Sequence, residues 1–345
     1  NHTLKTREKM VRLVDIAKRA GVSLGSASAV LSGRSKSNIR VSREKTERIL
    51  AIAREMNYIP NFSAQMLCGH SSHTLGVLID SEDVAVRFRQ IAAIEREADS
   101  RGYRLLIAET HDNPGKQLQN CRTLFQYGVD AVICHVNTID DDLKKLDKVI
   151  FYGAEPLPNL PSVYYDISRG YAEAAAQFRQ EKRRNPALLI GEQETKYDSL
   201  QARRKAFLSE YPDRESAVFT IPNPDNSRES VRRIFSRFID EAVIPNGIDA
   251  LIVQNDIWCL ALASELLRRG KRIPEDISLV GQDNAEFSCC LYPALSTIDT
   301  NLNEFGKSVI ELTLERILHP ETPVRSIAVP TALIPRETTQ PRRNE

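Results

Sequence analysis

The chain has 345 residues, which is too long for one ordinary hydrophobic core, so two or three domains are expected. Hydrophobic residues make up 41% and charged residues 27% of the chain, which is typical of folded rather than disordered proteins. The net charge of +1 excludes a uniformly basic nucleic-acid coat. No apolar stretch approaches the roughly 18 residues that span a bilayer, and six scattered cysteines form no disulfide framework.

Positive charge is concentrated at the start of the chain. Residues 1–60 contain 13 Lys and Arg against 5 Asp and Glu, a net charge of +8, whereas residues 61–345 contain 34 against 41, a net charge of −7. Because polyanions bind clustered cations, this basic head is expected to be a polyanion-binding module on an acidic body. A highly charged but merely solvated surface is the alternative.

The first two predicted helices lie in the basic head. Leu13, Ile16, Ala17 and Ala20 recur at helical spacing, and Gly21 is suited to end that helix. A second helix follows the candidate N-cap Ser23, with Ala27, Val30 and Leu31 as its predicted buried stripe. Two short helices joined by a glycine-containing turn describe a helix-turn-helix, whose second helix enters a DNA major groove.

A third helix and a shorter fourth one complete the head. The third is predicted from Ile49, Ile52, Ala53 and Met56, with Ser42 as its cap. Residues 62–69 form a candidate short helix between Asn61 and Gly69, too short to be stable alone in water. A small structural bundle without DNA function is the alternative for this part of the chain.

The body alternates β runs with amphipathic helices. This alternation predicts doubly wound parallel sheets, and its restart after Asp166 predicts two lobes with a ligand cleft at the carboxyl ends of the strands. The predicted strands are 75–79, 103–109, 131–135, 149–152, 187–190, 217–221, 250–254 and 277–281, and the predicted helices are 88–101, 117–127, 170–180, 200–210, 228–243 and 258–269.

Five short motifs follow one another in the head, namely Val14-Asp15-Ile16-Ala17, Ala20-Gly21-Val22-Ser23, Val30-Leu31-Ser32-Gly33, Asn57-Tyr58-x-Pro60-Asn61 and Ala64-Gln65-x-Leu67. In this order they resemble the LacI/GalR family of bacterial transcription regulators. The resemblance implies that Leu67 acts as an apolar wedge in the minor groove. The DNA-binding residues it implies are Ser23, Leu24, Gly25, Ser26, Ser28, Arg34, Arg40, Asn61, Ala64 and Leu67.

The head also departs from the family pattern. Ala29 stands where the family commonly carries an arginine that forks onto guanine, and Leu24 and Gly25 offer no bidentate donor to a base. The loop from Ser32 to Val41 is longer than the commonest spacing. Weaker direct base readout and more reliance on phosphates, DNA shape and Leu67 are therefore expected.

The body resembles the effector domain of the same family, which has a periplasmic sugar-binding fold with about three crossovers between its lobes. The motifs are the runs from Ala250 to Asp256, from Arg272 to Asp283 and from Pro293 to Ile298. The resemblance implies effector-binding roles for Asp80, Ser81, Arg89, Arg203, Asn255 and Asp283. Arg203, Asn255 and Asp283 suit a sugar-like polyol, and an isolated carboxylate argues mildly against a dianion.

Several features in the body leave the ligand open. A helix-face salt bridge for Arg203 and a turn-capping role for Asp283 are the alternatives. The family's Asn-Pro-Phe-Phe stretch is replaced by residues 82–88. Trp258 and Phe287 could stack on a sugar, although core packing is the expected place for both.

Other chemistry is not expected. Gly21-Val22-Ser23-Leu24-Gly25 fits the nucleophile-elbow pattern, but a helix rather than a strand precedes the serine. The chain has no phosphate-binding glycine pattern and no Cys-x-x-Cys pair, so no cofactor, no metal and no enzymatic activity are predicted. Cys289 and Cys290 are expected to be packing residues, and Lys182-Arg183-Arg184 a solvated helix end.

These features together predict a cytoplasmic, nucleoid-associated repressor that acts as a homodimer on a near-palindromic operator, with a sugar-like effector in the interlobe cleft. Its partners would be double-stranded DNA, the effector and a second copy of itself, without a membrane. A sugar-binding protein without DNA function and a sugar-active α/β enzyme are the alternatives, and the sequence does not distinguish an inducer from a corepressor. The expected domains are 1–10 as a disordered arm or cloning remnant, 11–60 as the helix-turn-helix, 61–70 as the hinge helix, 71–165 with about 299–322 as the first lobe, and 166–298 with about 323–338 as the second lobe.

Overall fold

The computed structural model describes residues 11–31, 40–59, 71–79, 84–111, 113–136, 139–153, 155–192, 199–225 and 227–339. The chain divides into two compact units, residues 1–72 and 73–345, and each is described by itself. The expected arm at 1–10 and hinge helix at 61–70 lie outside the described residues.

The smaller unit contains the three helices predicted for the basic head, namely α1 (Leu13–Ala20), α2 (Leu24–Leu31) and α3 (Arg43–Glu55). Gly21 ends α1 with φ = 63°, a left-handed conformation that glycine adopts without steric cost. The Ser23 hydroxyl accepts a hydrogen bond from the backbone N–H of Ser26 at 3.1 Å, so Ser23 caps α2. Ser42 caps α3 by accepting from the backbone N–H of Lys45.

The core of the smaller unit is built from Ile16, Ala20, Ile49 and Ala53. The predicted stripe on α2 is only partly correct. Ala27 is buried as predicted, but Val30 and Leu31 are half-buried and Ala29 is buried instead. This follows from the position of α2, which contacts both α1 and α3 and therefore buries two faces rather than one.

The larger unit follows the predicted alternation of strands and helices. In chain order its elements are β1 (Thr74–Ile79), α4 (Val84–Ser100), β2 (Arg104–Glu109), α5 (Pro114–Gln126), β3 (Ala131–His135), β4 (Val149–Gly153), β5 (Ser162–Asp166), α6 (Ile167–Gln180), β6 (Pro186–Gly191), α7 (Ser199–Glu210), β7 (Val218–Ile221), α8 (Arg228–Phe238), β8 (Ala250–Val253), α9 (Asp256–Arg268), β9 (Ser278–Gln282), β10 (Ser296–Asp299), α10 (Leu302–Leu318), β11 (Ser326–Pro330) and β12 (Ala332–Ile334). Single helical turns lie at Leu143–Lys145, Glu215–Ala217, Glu286–Cys289 and Glu337–Thr339, and a π-helical turn at Ile239–Val243 extends α8.

Two six-stranded sheets form the two lobes. The first has the order β11-β5-β4-β3-β1-β2 and is parallel throughout, and the second has the order β12-β10-β9-β8-β6-β7 with only β12 antiparallel. The residues of β3, β6, β8 and β9 are buried along their whole length, as expected for strands covered on both faces. The predicted fold class, a helix-turn-helix with a two-lobed doubly wound α/β domain, is confirmed.

The chain passes between the lobes three times, as expected. It crosses from β5 to α6, from β10 to α10, and from β11 to β12. The third crossing differs from the expected boundary near residue 323. Ser326 to Pro330 pair in parallel with Ser162 to Asp166, so β11 completes the first sheet and the chain enters the second lobe only at Thr331.

Thr331 ties the first and third crossings together. Its hydroxyl donates to the backbone carbonyl of Asp166 at 2.6 Å and accepts from the backbone N–H of Gly170 at 3.1 Å. A Cβ at Gly170 would lie 2.4 Å from Ile298 Cγ2 and 2.8 Å from the Thr331 hydroxyl. The three crossing segments therefore meet at a point where no side chain larger than hydrogen fits at residue 170.

Apolar packing covers both faces of both sheets. One cluster runs from the first lobe into the second and includes Ile94, Tyr171, Phe207 and Phe305, and a separate cluster fills the other face of each sheet. Within the described ranges, no helix is both long and apolar enough to cross a membrane.

Candidate functional sites

The start of α2 presents the predicted DNA-contacting residues to solvent. Ser23, Leu24 and Gly25 are exposed, with Leu24 at 52%, whereas Ser26 and Ser28 are half-exposed. The hydroxyls of Ser23 and Ser26 lie 2.9 Å apart and share a hydrogen bond. Capping therefore occupies part of the hydrogen-bonding capacity of these two serines, and Leu24 is the largest outward side chain at this end of the helix.

Among its described residues, the smaller unit also exposes cations that are not in ion pairs. Within residues 11–31 and 40–59, Lys18, Arg40 and Arg48 form no ion pair with another described residue, whereas Arg19 pairs with Glu55 and Arg43 with Glu47. Unpaired exposed cations are the groups that phosphates attract. The other predicted DNA-contacting residues, Arg34, Asn61, Ala64 and Leu67, lie outside the described residues.

Arg203 lies on α7 and is buried, with 6% of its surface exposed. Its guanidinium carbon is 5.9 Å from the centre of the Tyr171 ring. The Tyr171 hydroxyl in turn donates to Oε1 of Gln282 at 2.9 Å. A buried guanidinium beside a fixed aromatic ring is a preorganised donor, which a solvent-facing salt-bridge arginine is not.

Asp283 follows β9 directly, in a left-handed turn. Its φ is 98° and that of Asn284 is 46°, and the carboxylate of Asp283 accepts a hydrogen bond from the Gln282 side-chain amide at 3.2 Å. Only 9% of Asp283 is exposed. Through Tyr171 and Gln282, the structure thus connects two of the predicted effector residues, Arg203 and Asp283.

Asn255, which was predicted to bind the effector, caps a helix in the structure. Its Oδ1 atom accepts a hydrogen bond from the backbone N–H of Trp258 at 2.8 Å, which caps α9. The donor end of the Asn255 amide is therefore the end suited to a ligand oxygen. Trp258 is in the core, edge-on to Phe235 with ring centres 5.8 Å apart, and Phe287 is half-buried on a helical turn.

Arg89 of α4 reaches from the first lobe into the second. Its Nη1 donates to the backbone carbonyl of Asp283 at 2.7 Å and its Nη2 to that of Asn284 at 2.8 Å, while its Nε lies 3.1 Å from the Glu286 carboxylate. Asp80 and Ser81, which were predicted beside it, lie outside the described residues.

Asp256 was not predicted as a functional residue, although it follows Asn255 in the same motif. It is 1% exposed and accepts hydrogen bonds from the Thr297 hydroxyl at 2.6 Å and the Ala285 N–H at 2.7 Å. Burial raises the pKa of its carboxyl from 3.8 to about 6, and these two hydrogen bonds oppose that rise without cancelling it. Asp256 therefore supports, from below, the turn that carries Asp283.

In the first lobe, Tyr165 and Gln90 form a buried polar pair. The side-chain amide of Gln90 donates to the Tyr165 hydroxyl at 3.0 Å, and burial raises the pKa of that hydroxyl well above its usual value. The Tyr165 ring stacks on Phe305 with centres 5.1 Å apart. No residue pattern in the sequence singles out these two positions.

Three other expectations can be compared with the structure. Gly21 follows a helix rather than a strand, so the residues around Ser23 do not form a nucleophile elbow. Cys289 and Cys290 are exposed, so the expectation that they are packing residues was wrong. Cys289 ends the helical turn that follows Asp283 and Cys290 comes directly after it, whereas Ser288 of that turn is buried.

The basic run after α6 is also only partly solvated, because Arg183 turns inward. Its side chain is 10% exposed, forms an ion pair with Glu181 at 3.2 Å and donates to the carbonyls of Pro274 and Glu275. Across the described ranges, no group of three or more His, Cys, Asp or Glu is placed to hold a metal ion.

Comparison with known protein families places both units. Residues 12–61 match the family described as bacterial regulatory proteins, lacI family, and residues 175–339 match the periplasmic binding protein-like domain. The first range is the helix-turn-helix, and the second covers most of the second lobe together with α10 and β11 of the first lobe.

Known proteins resemble the chain over nearly its full length. It is 29% identical over 339 residues to the ribose operon repressor of Bacillus subtilis, covering 96% of this chain and 99% of that protein. It is 27% identical to the transcriptional repressor PurR of Photobacterium profundum, covering 89% and 92%. The crystal structure of the Lac repressor dimer bound to operator and the anti-inducer ONPF superposes with a TM-score of 0.83 at 24% identity, covering 96% and 99%.

Proposed function

Because the chain belongs to the lacI family of bacterial regulatory proteins, we propose that it is a ligand-responsive repressor that binds a specific DNA operator. The observation that carries this proposal is the joining, in one chain, of a cationic helix-turn-helix to a two-lobed domain with a buried polar cluster around Arg203 and Asp283. Both relatives compared above are named repressors.

The DNA contact would be made by the start of α2. The exposed Ser23 offers a hydroxyl, Leu24 an apolar surface for a thymine methyl group, and Gly25 a close approach of the backbone to the DNA. None of the three has the two donors that would form a bidentate contact with guanine. Lys18, Arg40 and Arg48 supply charge for phosphates. The recognition surface therefore favours binding dominated by backbone contacts and DNA shape, with Leu67 as the proposed wedge.

The effector would be a small neutral polyol. Arg203 can donate to two vicinal oxygens, the amide of Asn255 can donate to a third, and the Asp283 carboxylate can accept from a hydroxyl. A buried carboxylate at the site disfavours an anionic ligand. The ribose operon repressor among the relatives makes D-ribose the first sugar to test.

Binding to DNA and effector would be coupled through a homodimer. Two heads on a two-fold symmetric body match the two half-sites of a near-palindromic operator, and a change in lobe orientation would alter the spacing of the heads. The coupling in such systems is usually about 1–3 kcal/mol and acts equally in both directions. No catalytic turnover of the sugar is expected.

The test is fluorescence anisotropy with the full chain and labelled duplexes from its own promoter region, measured from 50 to 200 mM salt. A duplex of equal length and composition but scrambled sequence is the control. We expect tighter binding to the promoter duplex, a fall in affinity of roughly a thousandfold over that salt range, and a shift in affinity on adding the effector sugar. Equal binding to both duplexes at every salt concentration would exclude sequence-specific recognition.

A further inference from the structure

The turn at residues 283–286 is held from both lobes. Within the second lobe, the Arg336 guanidinium donates to Oδ1 of Asn284 at 2.7 Å and to the Ser288 hydroxyl at 2.9 Å. The backbone N–H of Asn284 donates to the Thr297 hydroxyl at 3.1 Å. From the first lobe, Arg89 donates to the carbonyls of residues 283 and 284.

This turn needs such support because its backbone is unfavourable. Asp283 and Asn284 both have positive φ, at 98° and 46°, a region that side chains other than glycine seldom adopt. A residue in that region persists only when its surroundings fix it. The orientation of the Asp283 carboxylate therefore depends on the groups that hold the two carbonyls.

We propose that Arg89 is a positioning residue for the effector site rather than a ligand contact, and that it orients Asp283 from the opposite lobe. Its Nε, Nη1 and Nη2 are each directed to the second lobe, so three of the five N–H donors of the guanidinium are engaged by protein. Because this contact crosses between the lobes, the support that Arg89 gives to the turn carrying Asp283 lasts only while the lobes keep their present spacing.

The two carbonyl contacts carry this role, and the ion pair contributes little to it. The Glu286 side chain is 82% exposed, and pairs with so exposed a partner are weak because water screens them. The two carbonyls are 2.7 and 2.8 Å from separate guanidinium nitrogens, a geometry that a planar fork satisfies and a single ammonium does not. Arginine is therefore required at this position, and positive charge alone is insufficient.

The positioning role of Arg89 rests on the proposed function only for the identity of the ligand. It can therefore be tested on the full chain in the absence of sugar and DNA. Hydrogen–deuterium exchange is followed at the peptide that covers residues 283–286. In Arg89→Ala and Arg89→Lys, we expect exchange at this peptide to be about tenfold faster than in the unaltered chain, since charge-assisted hydrogen bonds to the turn are lost. Glu286→Gln, which keeps both carbonyl contacts, should leave the exchange rate unchanged.

Arg96→Ala is the matched control. Arg96 lies on the same helix and has the same charge, but it donates to Oδ1 of Asn303 within its own lobe. Unchanged exchange in Arg89→Ala, equal acceleration in Arg96→Ala, or full protection in Arg89→Lys would each overturn the proposal. Isothermal titration with D-ribose then separates the two hypotheses, because a failure to bind this sugar bears on the effector class and leaves the exchange result intact.

Discussion

Thr297 donates its hydroxyl hydrogen to Oδ1 of Asp256 across 2.6 Å, and both side chains are buried. The other carboxylate oxygen accepts from the backbone N–H of Ala285. The same carboxylate lies against Gly281, where an added Cβ would be 2.1 Å from it. The titratable carboxyl of Asp256 thus supports the turn that carries Asp283, and there is no room for a water molecule between this carboxyl and Gly281.

The buried Asp256 carboxyl should make stability depend on pH. Its pKa is raised from 3.8 to about 6, so between these values the folded chain retains a proton that the unfolded chain has lost. The stabilisation from this group is complete below about pH 4 and is lost as pH rises to about 6, by about 3 kcal/mol in total. The measurement is the melting temperature from pH 4 to 8 for the unaltered chain and for Asp256→Asn, which does not titrate. The difference between the two should fall up to about pH 6 and then level off, and a difference that rises over this range contradicts the assignment.

Arg203→Ala should remove the response to the effector. The buried guanidinium is the strongest fixed donor in the proposed site, and losing charge-assisted hydrogen bonds to a ligand weakens binding by about 100-fold. The measurement is the thermal shift produced by a panel of sugars. Arg204→Ala is the control, because Arg204 is the next residue on the helix and pairs with Glu215 at the surface. Both variants should bind promoter DNA like the unaltered chain, and an intact sugar response in Arg203→Ala would remove Arg203 from the site.

Gly306→Ala should destabilise the first lobe. A Cβ at this position of α10 would lie 2.5 Å from the backbone oxygen of Ala93 on α4 and 2.7 Å from its carbonyl carbon. Backbone atoms cannot move aside as a side-chain tip can, so the two helices must separate, at a cost of about 3 kcal/mol. Urea unfolding measures the change. Lys307→Ala, at the exposed neighbouring position, should leave the midpoint nearly unchanged, and equal effects of the two substitutions would contradict close helix packing.

Alkylation should distinguish two classes of cysteine. Cys289 and Cys290 are exposed and their sulfur atoms are 3.8 Å apart, whereas burial raises the pKa of the Cys121 thiol to about 12. We expect iodoacetamide at pH 8 to modify the exposed pair rapidly and Cys121 only after unfolding. The hydrogen bond and charge of Cys289 raise the pKa of Cys290, so Cys289→Ser should speed modification of Cys290. Mass spectrometry of the peptides gives both rates, and a slower reaction of Cys290 in the variant would contradict the predicted coupling.

Local signals were sufficient to predict much of the architecture. The cap at Ser42 and the left-handed stop at Gly21 depend on residues within one helical turn, and the strand at residues 131–135 has the predicted bounds. The sequence analysis assigned no element to residues 302–318, although Phe305, Val309 and Leu312 recur there at helical spacing. That helix was predictable from its periodicity alone.

Non-local pairing explains what was not predicted. The strand at Ser326–Pro330 has five residues, ends in proline and shows mixed burial, and only its pairing with Ser162–Asp166 makes it part of the first sheet. Short strands of this kind take their stability from their neighbours rather than from intrinsic preference. The expected lobe boundary near residue 323 was displaced for this reason.

In the candidate site, too, some features could be predicted from the sequence and others depend on contacts that only the structure shows. The motif pattern indicated Arg203 and Asp283, and the structure links them through Tyr171 and Gln282. The pattern could not reveal that Arg89 donates to backbone carbonyls. Every residue has a backbone carbonyl, so a contact to one does not depend on the type of the accepting residue and cannot be recognised in the sequence. Asn255 shows a related limit, since a helix cap and a ligand contact call for the same side chain.

The interleaved strand order also constrains how the protein is made. The first sheet requires β11 at residues 326–330 and the second requires β12 at 332–334, so the first sheet lacks a strand until residue 330 has been made and the second until residue 334 has been made. Once β7 has been made at residue 221, a nascent chain therefore carries two incomplete sheets with open edges until β11 is made. A premature stop anywhere before residue 326 would leave both lobes unfinished, and such fragments should be targets for chaperones and proteases rather than partially active regulators.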